Sequence, residues 1–317
     1  MTTIRDRYLG AMLGLAVGDA LGTTLEFKTP GQFEPISDIV GGGPFQLEPG
    51  QWTDDTSMAL CLSESLLACH GFDAVDQMRR YLRWVDEGHW SSTGRCFDAG
   101  ITVRRALAAF RRTGEGFSGP TDEYSAGNGS LMRLAPVPLF FAADPEVAIR
   151  RSADSSRTTH GAHAAVDACR YFSGLILGAL QGIQKKELLE SGFTPVAGLW
   201  DREPLHPAVA DVANGSFYMK APPAIRGTGY VVESLEAALW AFATTDSLVA
   251  GALAAVNLGD DADTTGAICG QLAGAYYGVD AIPERWRGVI SMADEIQSLA
   301  EQLHREGRIQ RTSVDQA

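Results

Sequence analysis

Apolar residues along this chain recur at steps of three and four rather than in alternation, and β-branched or aromatic runs of strand length are scarce. The pattern predicts an all-α fold. Leu9, Leu13, Ala16, Val17 and Ala20 form one stripe over 5–21, and Gly10, Gly14, Gly18 and Gly22 repeat at every fourth position. Glycine weakens a helix, so four on one face imply a neighbouring helix packed at close range. The same periodicity predicts helices near 55–69, 73–87, 98–112, 145–156, 161–181, 232–243, 246–257, 263–277 and 292–305. Between them, segments 28–52, 114–129 and 192–231 hold much of the Gly and Pro, and loops this long inside a compact domain are as a rule functional or mobile. No fixed-period repeat and no linker divides the chain. One domain over 1–306 is expected, followed by a polar, disordered tail over 307–317.

Composition narrows the function classes. With 317 residues, 45% hydrophobic and 21% charged, the chain is too apolar for intrinsic disorder and long enough for a large core. A net charge of −13 without clustered Lys or Arg argues against a nucleic-acid footprint and favours cations as ligands. Five cysteines, an odd number with no C-x-x-C pair, fit neither a disulfide framework nor a zinc site, which points to a reducing, cytoplasmic setting. Arg5 and Arg7 before the apolar stretch 8–17 imitate a secretory signal, but Asp6 and Asp19 spoil it. No uncharged apolar run reaches the roughly 18 residues that span a bilayer, so no membrane partner is expected.

Two clusters carry most of the chemical information: Trp52-Thr-Asp-Asp-Thr56 and Gly259-Asp-Asp-Ala-Asp-Thr264, each just before an apolar helix. Two explanations fit them. Thr and Asp cap helix N-termini, contributing about 0.5 to 2 kcal/mol per cap. Capping needs one such residue, however, and hard oxygen donors in this number suit Mg²⁺, Mn²⁺ or Ca²⁺. Asp19 and Glu26 flank the end of the glycine-striped helix. Asp19 inside an apolar stripe is costly to bury unpaired, so it is expected to accept hydrogen bonds or to sit near a cation, the structural role being the simpler reading for it. Gly127-Asn-Gly-Ser-Leu-Met-Arg133 is a small-residue turn whose backbone N–H groups suit a phosphate, without being a P-loop. His160 precedes a long helix, where a lone histidine is more often a structural partner. H-E-x-x-H, G-x-S-x-G and kinase signatures are lacking, which removes zinc protease, α/β-hydrolase and kinase readings.

In order and spacing these segments resemble the ADP-ribosylglycohydrolase family. The resemblance rests on Gly14-Leu-Ala-Val-Gly-Asp-Ala-Leu-Gly22 with Glu26, Trp52-Thr-Asp-Asp-Thr-Ser-Met58, Gly127-Asn-Gly-Ser-Leu-Met-Arg133, Thr159-His160, Gly229-Tyr-Val-Val-Glu-Ser-Leu235 and Gly259-Asp-Asp-Ala-Asp-Thr264. It implies the family's compact, orthogonal multi-helix fold, two divalent cations (Mg²⁺ or Mn²⁺) and metal-dependent hydrolysis of an ADP-ribose glycosidic bond. Carried over by position, Thr53, Asp54, Asp55, Asp261, Asp263 and Thr264 hold the metals, with Glu26 beside them. Gly127, Asn128, Gly129, Ser130 and His160 match positions around the pyrophosphate and neighbouring ribose, and Tyr230 a loop near the adenosine. Asp260 stands where some members have Gly. Phe97-Asp-Ala-Gly100 is similar to the Phe-Asp-Ile-Gly element of the dinitrogenase-reductase-type branch, which places Asp98 where a guanidinium would be met; capping of its own helix is the alternative. Glu26, Asp55, Asp98 and Asp261 are the expected catalytic carboxylates. An anionic, metal-organised site suits the oxocarbenium character that grows at the anomeric carbon.

The expected substrate is an ADP-ribosylated protein or small molecule, most simply ADP-ribosyl-arginine, with ADP-ribose as product, no nucleic acid and a monomeric enzyme. Two rival readings remain: an inactive ADP-ribose-binding or structural relative, and a dinuclear metal phosphohydrolase.

Overall fold

The computed structural model describes residues 2–314, with side chains through 307. It consists of fifteen α-helices: α1 (Ile4–Gly22), α2 (Asp54–Ala68), α3 (Ala74–Glu87), α4 (Ile101–Thr113), α5 (Pro136–Phe140), α6 (Pro145–Thr159), α7 (His163–Leu180), α8 (Lys185–Leu188), α9 (Leu199–Arg202), α10 (Pro207–Ala213), α11 (Val231–Thr244), α12 (Leu248–Val256), α13 (Ala262–Tyr277), α14 (Glu284–Arg287) and α15 (Ala293–Val314). Among the described residues there is no strand, only the isolated bridges Gly42–Leu47 and Gly127–Tyr230. The long helices fall where the periodicity puts them, within a few residues. The short ones, α5, α8, α9, α10 and α14, have no counterpart among the predicted helices. Helix α15 continues past Gly307, where the expected polar tail begins, as far as Val314; residues 315–317 lie outside the described residues.

Local chemistry explains several starts. Thr3 and Asp6 form a capping box on α1, Asp73 caps α3, Asp144 caps α6 ahead of Pro145, and Ser247 caps α12. Peripheral helices bury one face: α3 buries Gln77, Met78, Tyr81 and Trp84.

The centre of the fold is the pair α1 and α13. Every residue from Tyr8 to Gly22 is buried, as is every residue from Ala262 to Ala275. They run antiparallel with Gly10, Gly14 and Gly18 facing Gly274, Gly270 and Gly266. A Cβ at any of these six positions would lie closer than 3.0 Å to a backbone carbonyl of the other helix. The close neighbour implied by the glycine stripe is therefore α13, itself glycine-striped. Helices α15, α12, α2 and α7 pack around α1. The consequence for function is geometric: the C-terminus of α1 (Asp19 to Gly22) meets the N-terminus of α13 (Asp261 to Thr264), and α2 starts beside both.

Candidate active site

Where these three termini converge, the N-cap side chains do not cap their own helices, and Asp263 Oδ1 alone accepts from a first-turn N–H of its own helix, that of Thr264 at 2.8 Å. Thr53 is the N-cap of α2 and Asp261 that of α13, yet neither makes a side-chain cap bond. Capping comes from elsewhere. Asp19 Oδ1 accepts from the Thr53 N–H and hydroxyl, each at 2.9 Å, and its Oδ2 accepts from the Thr56 N–H at 3.0 Å and hydroxyl at 2.7 Å. Glu26 accepts from the Ala262 N–H at 2.9 Å. The α2 and α13 termini are thus satisfied by carboxylates from α1 and the turn after it, which releases Asp54, Asp55, Asp261 and Asp263 to gather in one place.

The gathering brings the two sequence clusters together. Thr53 Oγ1 lies 3.2 Å from Asp55 Oδ2, 3.3 Å from Asp263 Oδ2 and 2.9 Å from Asp19 Oδ1. One hydroxyl proton cannot serve three carboxylates. Oxygens of Asp19, Asp55 and Asp263 lie within 4.8 Å of one another, as do those of Glu26, Asp261 and Asp263. Asp55 is fully buried, and its Oδ1 has no hydrogen-bond partner. Burial, reinforced by neighbouring carboxylates, pushes Glu26, Asp54, Asp55 and Asp263 far above the ordinary carboxylate range. Burial also raises Asp261 and lifts Asp19 to about 6, against the hydrogen bonds each accepts. An orphaned buried oxygen among carboxylates and hydroxyls, with no lysine or arginine among them, fits divalent cations with hard oxygen ligands.

A cavity of about 710 Å³ adjoins the cluster. Its wall carries Glu26, Asp54, Asp98, Asp261, Asp263 and Thr264 together with Gly127, Asn128, Gly129, His160 and Gly229. Thr53, Asp55 and Ser130 are buried and off the wall. The Ser130 hydroxyl accepts from Ser156 at 2.9 Å and so faces the interior. The backbone N–H groups of Gly129 and Ser130, in contrast, have no acceptor among the described residues. Tyr230 pairs with Gly127 through one antiparallel bridge and is itself 41% exposed.

Asp98 does not cap a helix. Helix α4 starts at Ile101 with Gly100 as N-cap, and Asp98 sits before it with φ +58. A non-glycine residue held in the left-handed region next to a cavity is a strained position of the kind that accompanies function. Burial and then the charges of Asp261 and Asp19 raise its carboxyl to about 7, with Arg104 opposing. Asp260 also has positive φ (+55), and its carboxylate pairs with Arg226 at 3.0 Å, apart from the cluster.

The structure adds partners to several positions that the sequence had already singled out. Asp19 does accept hydrogen bonds, as expected, but it also belongs to the acidic cluster. Asn128 is more than a loop residue, since its amide donates to Asp261 at 2.8 Å and to Ser234 at 2.9 Å. Phe27, Phe45 and Ile101 join the cavity wall without any sequence signal, as does Met132 from within the Gly127–Arg133 motif.

Comparison with known proteins matches this geometry to a family. The family profile described as ADP-ribosylglycohydrolase matches residues 1–312. An ADP-ribosylarginine hydrolase of Pseudomonas putida (strain GB-1) is 42% identical over 94% of this chain and 78% of that protein. The ADP-ribosyl-[dinitrogen reductase] glycohydrolase of Rhodospirillum rubrum is 34% identical over 92% and 93%. Among solved structures, an ADP-ribosylglycohydrolase-related protein complex superposes with a TM-score of 0.84 at 45% identity, covering 96% of this chain and 99% of that one. With the profile spanning almost the whole chain and the acidic cluster at the meeting point of α1, α2 and α13, the chain belongs to the ADP-ribosylglycohydrolase family.

Proposed function

We propose that this chain hydrolyses the glycosidic bond between ADP-ribose and the arginine side chain of a modified protein or small molecule, in the cytoplasm, as a monomer formed by 1–306. The observation that carries the reading is the convergence of Glu26, Asp54, Asp55, Asp261 and Asp263 beside a cavity that also displays Asp98 and the Gly127–Ser130 turn. Thr53, Asp54, Asp55, Asp261, Asp263 and Thr264 are the residues to hold two cations, Mg²⁺ or Mn²⁺, with Glu26 beside them. When bound, these cations supply Lewis-acid charge that offsets the carboxylates and orients the ribose hydroxyls.

The chain's own residues do the rest. Free N–H groups at Gly129 and Ser130, with the neighbouring Gly127 and Asn128, cradle the pyrophosphate. His160 and Tyr230 lie along the ribose and adenosine. The carboxylates Glu26, Asp55 and Asp261 stabilise positive charge growing at the anomeric carbon. Asp98 meets the guanidinium, which suits a carboxylate in charge and in bidentate shape. Burial raises the Asp98 carboxyl above the ordinary range and favours its protonated form, from which it can pass a proton to the departing nitrogen.

The test compares kcat/KM on arginine-linked and serine-linked ADP-ribosyl peptides for the native chain and Asp98→Asn. Arginine-linked peptide should be preferred, and the substitution should slow it by about 10²- to 10⁴-fold, the usual range for a lost general acid. Faster cleavage of the serine linkage, or equal slowing of both, removes the assignment. Free ADP-ribose as product separates this reading from a phosphohydrolase, which would release AMP or phosphate. Asp54→Ala and Asp261→Ala should each abolish turnover while leaving the helical circular dichroism spectrum intact, since each removes a cation ligand and no cap bond.

A further inference from the structure

Behind the Gly127–Ser130 turn lies a cation that the reaction scheme leaves unused. Arg133 is fully buried, and among the described residues no carboxylate lies within ion-pair distance of it. Its guanidinium sits 4.8 Å from the Tyr81 ring centroid, donates to the Gly129 carbonyl at 2.7 Å and donates to Thr159 Oγ1 at 2.7 Å. Thr159 Oγ1 in turn lies 2.9 Å from Nδ1 of His160. Both Thr159 and His160 are buried.

Proton counting fixes the direction of this chain. Arginine has only donors, so the bond from Arg133 uses the threonine oxygen as acceptor. The single hydroxyl proton of Thr159 then has His160 Nδ1 as its acceptor. With the opposite histidine tautomer, Thr159 would accept twice and leave its own proton buried without a partner, a cost of about 1 to 3 kcal/mol. Nδ1 is therefore the acceptor and Nε2 carries the hydrogen. Burial and then the Arg133 charge hold the His160 pKa down to about 3, so the ring is neutral at physiological pH. Space for the ring is left by two glycines: a Cβ at Gly127 would stand 3.4 Å from Nε2, and one at Gly129 closer than 3.0 Å to Cε1.

We propose that Arg133 and Thr159 are positioning residues that lock His160 in its Nε2–H tautomer, making it a fixed neutral donor to an acceptor oxygen of the pyrophosphate or ribose at the Gly127–Gly129 turn. The inference rests on the reading of the cavity as an ADP-ribose site. It adds a reason why the family turn continues into Leu131-Met132-Arg133: the arginine braces the turn through Gly129 and sets the histidine through Thr159.

The test uses the full chain with Mg²⁺, ¹⁵N-labelled histidine and ADP-ribose as the probe, with His160 signals assigned by their loss in His160→Gln. In the native chain, Nδ1 should show the shift of an unprotonated nitrogen and Nε2 that of a protonated one. Thr159→Val should give a mixture of tautomers and weaken ADP-ribose binding about 3- to 10-fold, the worth of one neutral hydrogen bond. Thr159→Ser should restore both. A protonated Nδ1 in the native chain, or a Thr159→Val protein with native shifts and affinity, overturns the proposal. Failure of the native chain to bind ADP-ribose at all overturns the cavity reading instead, and the tautomer measurement, which needs no ligand, distinguishes the two failures.

Discussion

Asp55→Asn is expected to make the metal-free protein more stable at neutral and alkaline pH while abolishing turnover. Asp55 is fully buried, its Oδ1 has no partner, and the charges of Asp19, Asp263, Asp54 and Asp261 surround it. Without cations this group must either hold a proton that it would release in water or carry an uncompensated charge, and its Oδ1 stays unsatisfied, a burden of about 1 to 3 kcal/mol. An amide of the same shape removes the charge. The sign with pH follows from protons: each raised carboxyl keeps its proton in the folded state after the unfolded chain has released it. That contribution is fully present below the unfolded value near 4 and is lost as pH rises through the folded value, about 6 for Asp19 and about 7 for Asp98. In chelator, native Tm should therefore fall between pH 4 and 8, and Mg²⁺ or Mn²⁺ should reverse much of the fall at pH 8. Asp55→Asn should show a shallower fall, a smaller cation response and at least about 10²-fold lower kcat/KM, since losing a group that merely orients a cation ligand already costs about 10- to 100-fold. If chelator leaves the native Tm unchanged at pH 8, or the variant is less stable than native in chelator, the cation reading of the cluster is wrong.

The long helices were legible for two reasons: α3, α4 and α15 carry an amphipathic period, whereas α1, α2, α7 and α13 are buried on nearly every side and show instead as long apolar runs, α1 with its glycine stripe. Helices α8, α9 and α14, at four residues each, are shorter than the window any periodicity needs, and α10 shows only a proline at its first position. The acidic residues were legible for a similar reason. Excess carboxylate at a helix start is a local signal. Their division of labour was not, because it depends on partners far along the chain: Asp19 caps α2 from 34 residues away and Glu26 caps α13 from 236 away. The same holds for Asp98, whose local context offered a cap until the structure assigned that place to Gly100. Ser130 sits in the turn expected to hold phosphate, and its hydroxyl points away because Ser156, on a distant helix, holds it.

The glycine stripe couples stability to the site, and its two ends should separate the two. At Gly10, a Cβ would collide with the backbone of Gly274 and Gly278, far along α13 from the acidic cluster. At Gly22 it would collide with the backbone of Ala262 and Asp263, where the cluster is built. Backbone cannot rotate aside as a side chain can, so each substitution must separate the helices locally, at a cost near or above the roughly 1 to 3 kcal/mol of ordinary overpacking. Against a typical total of about 5 to 15 kcal/mol, both proteins should still fold, with Tm lowered by roughly 2 to 5 °C. Gly10→Ala, once folded, should retain near-native kcat and the full cation-induced rise in Tm, because the carboxylates stay in register. Gly22→Ala should lose about 10²-fold or more in kcat and most of the cation response, since an ångström of misplacement at a reacting centre costs that much. Measuring kcat per folded molecule and Tm with and without Mg²⁺ decides the matter. Equal kcat in the two variants would mean that the glycines serve packing alone, and that the position of Asp263 does not depend on how closely α1 approaches α13.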